Sequence, residues 1–244
     1  MKASPSDQAL LLDLQALDTR LNQLDYRAKS LPEHASIADF TAKINALRSV
    51  AAEQSGQRED VQIELKRLES DVAVVETRLK RDTERLQGAS SQKDIAALEM
   101  EIESLKKRQF DLEEIELSVM EKLELRDAAL ESTSAQIAEL QAGIAEVEQA
   151  RDAVLVTVQA ERNNTAANRR TIESKIPADL LALYEKQRAR YGSGASLLQH
   201  GTSKASGVKL LENDLQAIRA AAPDDVILCP ISDAILVRTA ESGL

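Results

Sequence analysis

The chain has 244 residues and a formal net charge of −10, with 30% charged residues, 2% aromatic residues and no Trp. An acidic chain is not built to coat nucleic acid along its length, and this composition suits long heptad helices. The single Cys excludes an internal disulfide and points to a reducing, cytoplasmic setting. No run approaches the roughly 18 consecutive apolar residues of a membrane span.

Ser4-Pro5-Ser6-Asp7 is a helix start, with a Ser cap and Pro at the first helical position. The seam Leu10, Leu14, Leu17, Leu21, Leu24, Ala28 and Leu31 predicts a helix over 5–31, and Pro32 ends it. Met1 to Pro5 shows no apolar stretch of a secretory signal. A second helix is expected over 35–87, with apolar residues at 12 of the 15 a and d positions from Ile37 to Leu86. Gly88-Ala89-Ser90-Ser91 reads as a turn, with Gly88 as the helix stop and Ser90 or Ser91 as the next cap.

A third helix is expected over 92–171, with 14 of 19 seam positions apolar from Ile95 to Val158. A stripe this long and narrow is a coiled-coil seam. The second helix, at about 50 residues, spans about 75 Å at 1.5 Å per residue, and the third outruns it. The overhang needs a partner, and the leucine seam of the first helix is the nearest. Gln109, Glu116, Arg126, Thr133 and Arg151 interrupt the third seam and read as register markers, the alternative being a groove for another helix.

Ile176-Pro177-Ala178-Asp179 breaks the pattern and introduces a short helix to about Tyr191. After Gly192-Ser193-Gly194 comes a small module with a short helix near Glu212–Ala220. Val226–Leu228 and Ala234–Arg238 read as two strands of a hairpin around Cys229-Pro230-Ile231-Ser232-Asp233. The expected division is a coiled-coil hairpin over 1–175 and a junction helix plus terminal module over 176–244. The fold class is mainly α: a long antiparallel coiled-coil hairpin with a small C-terminal zinc-ribbon-like α+β module.

Three sets of residues carry a family resemblance. They are Gly88 with Lys93-Asp94 and Glu101 to Gln109; Ile176-Pro177, Leu180-Leu181, Tyr184-Glu185 and Arg188; and Cys229-Pro230 with Ile235 to Arg238 and Glu241 to Leu244. Together they resemble a bacterial family of C4-type zinc-ribbon proteins with a long coiled-coil hairpin, in an actinobacterial-like form. The resemblance implies two Cys-x-x-Cys knuckles, which fall here on Ser203-x-x-Ser206 and Cys229-x-x-Ser232. Three of the four thiolate positions are serine, and a hydroxyl is a poor zinc ligand. The resemblance therefore implies a ribbon that has lost its zinc, leaving no metal and no other cofactor. The module must then rest on its own apolar residues: Leu197, Leu198, Val208, Leu210, Leu211, Leu215, Ile218, Val226, Leu228, Ile235 and Val237. A module of about 50 residues buries little surface alone, so packing against the base of the helices or the 177–191 helix is expected.

Cys229 reads as a relic knuckle residue and His34 and His200 as surface histidines, because no nucleophile, base and carboxylate set surrounds them. Gly192-Ser193-Gly194 lacks the Lys and spacing of a phosphate loop. No catalytic motif is present, and the chain is read as a non-enzyme with no evident small-molecule substrate.

Residues 161–191 carry seven basic groups, Arg162, Arg169, Arg170, Lys175, Lys186, Arg188 and Arg190, against four acidic ones. They are either a phosphate-contacting patch or a salt-bridged helix end. Only Tyr184 and Tyr191 are near enough in sequence to stack on bases. The reading is a cytoplasmic adaptor or scaffold, monomer or dimer, that binds protein partners through the coiled coil and terminal module. The alternative is an accessory protein that binds RNA or DNA through the basic patch. On that alternative, replacing Arg169, Arg170, Arg188 and Arg190 with Ala abolishes binding and leaves folding nearly intact.

Overall fold

Ser4 caps the first helix, α1 (Pro5–Lys29), its hydroxyl accepting the Asp7 N–H at 3.1 Å. The computed structural model describes residues 1–243. Three further helices follow: α2 (Pro32–Gln87), α3 (Gln92–Glu173) and α4 (Ala178–Tyr191). After them come β1 (Ala195–Gln199), β2 (Thr202–Ser203), α5 (Glu212–Ala220), β3 (Ile235–Val237) and a 3₁₀ turn at Ala240–Ser242.

Two expected helix ends shift at Pro32. α1 stops at Lys29, where the Ser30 N–H and hydroxyl both bond the Tyr26 carbonyl. Pro32 then opens α2 instead of only closing α1, because the first turn of a helix leaves its N–H groups unpaired and a missing one costs nothing there. The third helix extends two residues beyond 171, to Glu173.

The contacts divide the chain into two units, Met1–Pro32 with Ala150–Leu244, and Glu33–Gln149. The expected boundary at 175 instead falls inside the first unit, because the end of α3 packs with α1 and the C-terminal residues.

The Glu33–Gln149 unit is an antiparallel pair of helices. Arg58 pairs with Asp127, the Thr133 hydroxyl donates to Gln54 Oε1 at 2.9 Å, and the Phe40 ring lies over Gly143. The seam is buried at Ile44, Leu65, Val75, Leu98, Ile102, Leu112 and Val119. Thr133 is buried in it with both a side-chain and a backbone acceptor.

In the other unit, α1 runs antiparallel to the last turns of α3. Arg20 pairs with Glu161, Arg162 with Asp25, and Leu24 and Val158 are buried. The apolar overhang of α3 thus has the partner its length demanded. The sheet order is β2-β1-β3, antiparallel between β1 and β2 and parallel between β1 and β3.

The expected 226–238 hairpin contracts to one bridge, Leu228↔Ile235, with Leu236 N–H donating to the Ile227 carbonyl at 2.8 Å. All three β3 residues are fully buried, a pattern that suits a strand paired on both edges and covered on both faces. Ile235 and Val237 pack with Leu11, Leu14, Ile176, Leu180, Tyr184 and Ala195. Leu236, on the opposite face, packs with Leu198, Leu210, Leu215, Ile218 and Cys229. The expected core is right at most positions but not at Val208, Leu211 and Leu228, which are exposed. Leu210 takes the inward place, and Leu211 is left outside as the cap residue of α5.

Residues 1–3 close the module. Ala3 N–H donates to the Asp224 carbonyl at 2.8 Å and Val226 N–H to the Met1 carbonyl at 3.1 Å. Lys2 Nζ lies 2.9 Å from Asp224. Arg238 donates to the carbonyls of Ile218, Ala221, Ala222, Pro223 and Asp225 at 2.6–3.2 Å. It thereby satisfies acceptors at the end of α5 that have no helical donor.

The fragment 192–244 lacks α1 and α4 and leaves the Ile235–Val237 face bare. It is expected to show no cooperative melt by circular dichroism, and a heat-stable, dispersed fragment would refute this packing argument. The hydrogen bond from Lys2 holds the Asp224 carboxyl below its ordinary value of 3.8, against the opposing effect of burial. A carboxyl depressed in the folded state adds stability above its unfolded pKa, and that stability is lost as pH falls through the folded value. Hydrogen exchange at Ala3 and Val226, corrected for intrinsic rates, should therefore quicken below pH 3.8, and Lys2→Ala should remove most of that dependence.

Candidate functional site

α1 buries a polar stripe beside its leucines, with Gln8, Leu11, Leu14 and Asp18 all 2% exposed or less. Asp18 is the centre of a charged cluster. It accepts from Arg169 Nε at 2.6 Å, Arg188 at 2.8 Å and the Tyr184 hydroxyl at 2.7 Å. Arg169 also pairs with Glu173 and Glu185, and Arg188 with Glu185. Burial pushes the Arg169 guanidinium down, but its hydrogen bonds to Asp18 and Glu185 outweigh this and hold it above its ordinary value. Burial, and then the bond to Asp18, pushes the Tyr184 hydroxyl well above the usual phenol range.

Gln15 adds a neutral anchor. Its Oε1 accepts from the N–H groups of Gly194 at 2.7 Å and Ala195 at 3.3 Å, and lies 3.3 Å from the Tyr184 hydroxyl, whose proton goes to Asp18. Gly194 is required for this approach, since a Cβ there would lie 2.5 Å from the Tyr184 ring.

The seven basic residues of the sequence reading therefore separate. Arg169 and Arg188 are ion-paired around Asp18, and Arg162 is paired with Asp25. Arg190 stacks over Tyr191, 5.3 Å from the ring centroid, and is exposed. Arg170, Lys175 and Lys186 are exposed. The expectation that Arg169 and Arg188 are replaceable without harm to folding is corrected, because both neutralise a buried carboxylate. Asp18, Gln15 and Arg238 were missed from the sequence. The available signal was the spacing Leu11, Leu14, Asp18, which places a carboxylate on an apolar stripe.

The four positions of the implied zinc site lie on two turns. Ser203 is fully buried and its hydroxyl bonds the Ser196 hydroxyl at 3.0 Å; Ser196 also accepts the Ala205 N–H at 2.8 Å. Ser206 Oγ accepts the Val208 N–H at 3.3 Å. Cys229 is fully buried. Ser232 Oγ is sealed from solvent without a well-formed hydrogen bond, and its influence falls on the Cys229 sulfur. Burial pushes that thiol up, but the Ser232 and Ser203 hydroxyls, helped by the N–H groups of Ile231 and Ser232, hold it below its ordinary value. One thiol and three hydroxyls do not fit a structural zinc, which takes four thiolate or imidazole ligands. His200 is exposed on the β1–β2 turn, where φ is positive at both His200 and Gly201, the combination a tight hairpin turn needs.

Removing one partner of a buried ion cluster strands the others. Asp18→Ala leaves Arg169 and Arg188 without their shared carboxylate and is expected to cost about 3 kcal/mol in urea unfolding, the low end for such a loss because Arg188 is partly solvated. A cost within the error of the wild type would show that the cluster does not hold the unit together.

Comparison with known proteins places the chain. The model of the CT398-like coiled coil hairpin domain matches residues 14–192. An uncharacterized protein of Mycobacterium tuberculosis, found in two strains, is 34% identical over 239 residues, 98% of each chain. A solved structure from Mycobacterium smegmatis is 35% identical, with a TM-score of 0.88 over 98% of this chain and 100% of that one. CT398 from Chlamydia trachomatis shares the fold at 15% identity, with a TM-score of 0.67 over 95% of this chain and 97% of that one. HP0958 from Helicobacter pylori does so at 12% identity, with a TM-score of 0.52 over 96% and 98% of the two chains. The chain belongs to the CT398-like coiled coil hairpin family.

Proposed function

We propose that this protein is a non-enzymatic cytoplasmic adaptor that binds a protein partner along α3, with the zinc-ribbon-like module as a second docking body. The observation that supports it is an apolar stripe outside the seam. Phe110 and Leu117 are one heptad apart, with Met120 three residues on, and they are 60%, 63% and 43% exposed. Glu113, Glu114 and Glu121 flank them. An exposed apolar stripe rimmed by carboxylates fits an amphipathic helix with basic flanks, docked by its apolar face. The cleft between α1 and β1, about 580 Å³ in volume, is lined by Gln15, Thr19, Arg20, Gln23, Ser193 and Lys204 among others, and no carboxylate, imidazole or thiol lines it. Among the described residues, no helix is long and apolar enough to cross a membrane.

The nucleic-acid reading keeps one observation in its favour. Arg170 at the end of α3, Lys175 in the turn after it, and Lys186 and Arg190 on α4 are all exposed.

One experiment separates the two readings. The tagged chain is used to capture partners with and without nuclease, beside Phe110→Glu/Leu117→Glu and Arg170→Ala/Lys175→Ala/Lys186→Ala/Arg190→Ala variants. The adaptor reading expects nuclease-resistant protein capture that the first variant weakens about tenfold or more, the loss typical of a hot-spot contact. Both side chains are mostly exposed, so the variant's melting curve should match the wild type. The adaptor reading fails if binding is to RNA or DNA, is lost in the four-residue variant, and weakens with salt at a log–log slope of about −0.9 per phosphate contacted.

A further inference from the structure

The turns that open at Ser203 and Cys229 are backbone twins. The Gly207 N–H donates to the Ser203 carbonyl at 2.8 Å, and the Asp233 N–H donates to the Cys229 carbonyl at 2.9 Å. Each turn ends on a residue of positive φ, 68° at Gly207 and 57° at Asp233. The left-handed region is ordinary for Gly and tolerable for Asp, whose short polar side chain suits it. Both turns lie where β1 and β3 begin: Lys204 N–H donates to the Leu197 carbonyl and Cys229 N–H to the Ala234 carbonyl.

Three different contacts hold them. Ser203 and Ser196 bond to each other beneath the first turn. Cys229 packs as an apolar residue with Leu198, Leu210, Leu215, Ile218 and Leu236. Arg238, one residue beyond β3, joins five carbonyls of the segment that leads into the second turn, and residues 1–3 pair with the same segment.

We infer that the paired turns of this chain close without a metal ion: Cys229 serves as a core residue, Ser203 is bonded to Ser196, and Arg238 with residues 1–3 fastens the module. Hydroxyls are poor zinc ligands beside thiolates, and the module's own contacts hold the two turns. The consequence is a member of this fold whose terminal module is indifferent to zinc and to chelators.

The full-length chain, expressed with added zinc and passed over a sizing column, is tested by elemental analysis and by thermal unfolding with and without a strong chelator. Substoichiometric zinc and an unchanged midpoint are expected. One zinc per chain, or a midpoint that falls in chelator, overturns the inference. Cys229→Ser should lower the midpoint less than Arg238→Met does, and the reverse order also overturns it. The twin turns give a positive arm: Ser203→Cys/Ser206→Cys/Ser232→Cys is expected to take up one Zn²⁺, or Co²⁺ with thiolate charge-transfer bands. A variant that retains the wild-type helical spectrum and takes up neither ion refutes the twin geometry. If that variant does not fold, the zinc content of the wild type and the order of the two single variants decide.

Discussion

A carboxylate out of water must be matched, and Asp18 is matched three times, by Arg169 from α3, Arg188 from α4 and the Tyr184 hydroxyl. The cost of desolvating it is met only while all three elements stay in place. That requirement sets the angle of α4 against α1 and α3, and with it the position of the Tyr184 ring. The ring lies against Gly194 at the start of β1, and β1 in turn carries both other strands. Hydrophobic packing of Leu11, Leu14 and Leu180 supplies the bulk of the attraction there, but it is non-directional. The charged cluster supplies the direction.

What could be read from the residues follows from the range of each signal. Heptad spacing is local and repeats many times, so the seams from Ile37 to Leu86 and from Ile95 to Val158 were legible, as was the turn at 88–91. The pairing of α1 with the end of α3 followed from unequal helix lengths. The partners of Asp18 lie about 150 to 170 residues away and have no periodicity that would link them. The parallel pairing of β1 with β3 was equally hidden, because short apolar runs such as Ile235–Val237 do not state which neighbour they will take. Pro32 is both a stop and a start, since the same missing N–H serves both roles. The basic residues of 161–191 were legible as a group but not as individuals; the fold alone separates Arg169, held by carboxylates, from Arg170, which faces water.

The two units use polar residues differently. In the helical pair of Glu33–Gln149, polar seam residues such as Thr133 and Gln54 meet each other, and this marks register at modest cost. In the other unit, polar residues hold irregular backbone: Gln15 on the N–H groups of Gly194 and Ala195, and Arg238 on five carbonyls. Backbone outside helices and strands must find partners when buried, and a few multidentate side chains can satisfy it where the segment is too short to satisfy itself.

The pairing of residues 1–3 with 224–226 also sets an order of events during synthesis. Lys2 and Asp224 are 222 positions apart. At about 5–20 residues per second, the start of the chain waits on the order of ten to forty seconds for its partner to leave the ribosome. Throughout that interval Leu11 and Leu14, fully buried in the finished molecule, have no strand to cover them. The Glu33–Gln149 pair is complete long before, so the nascent chain carries a finished helical hairpin between two unfinished ends. Slow, late closure of this kind leaves an apolar segment open to chaperones, and residues 1–3 become native only together with the C-terminal module, although they are made first.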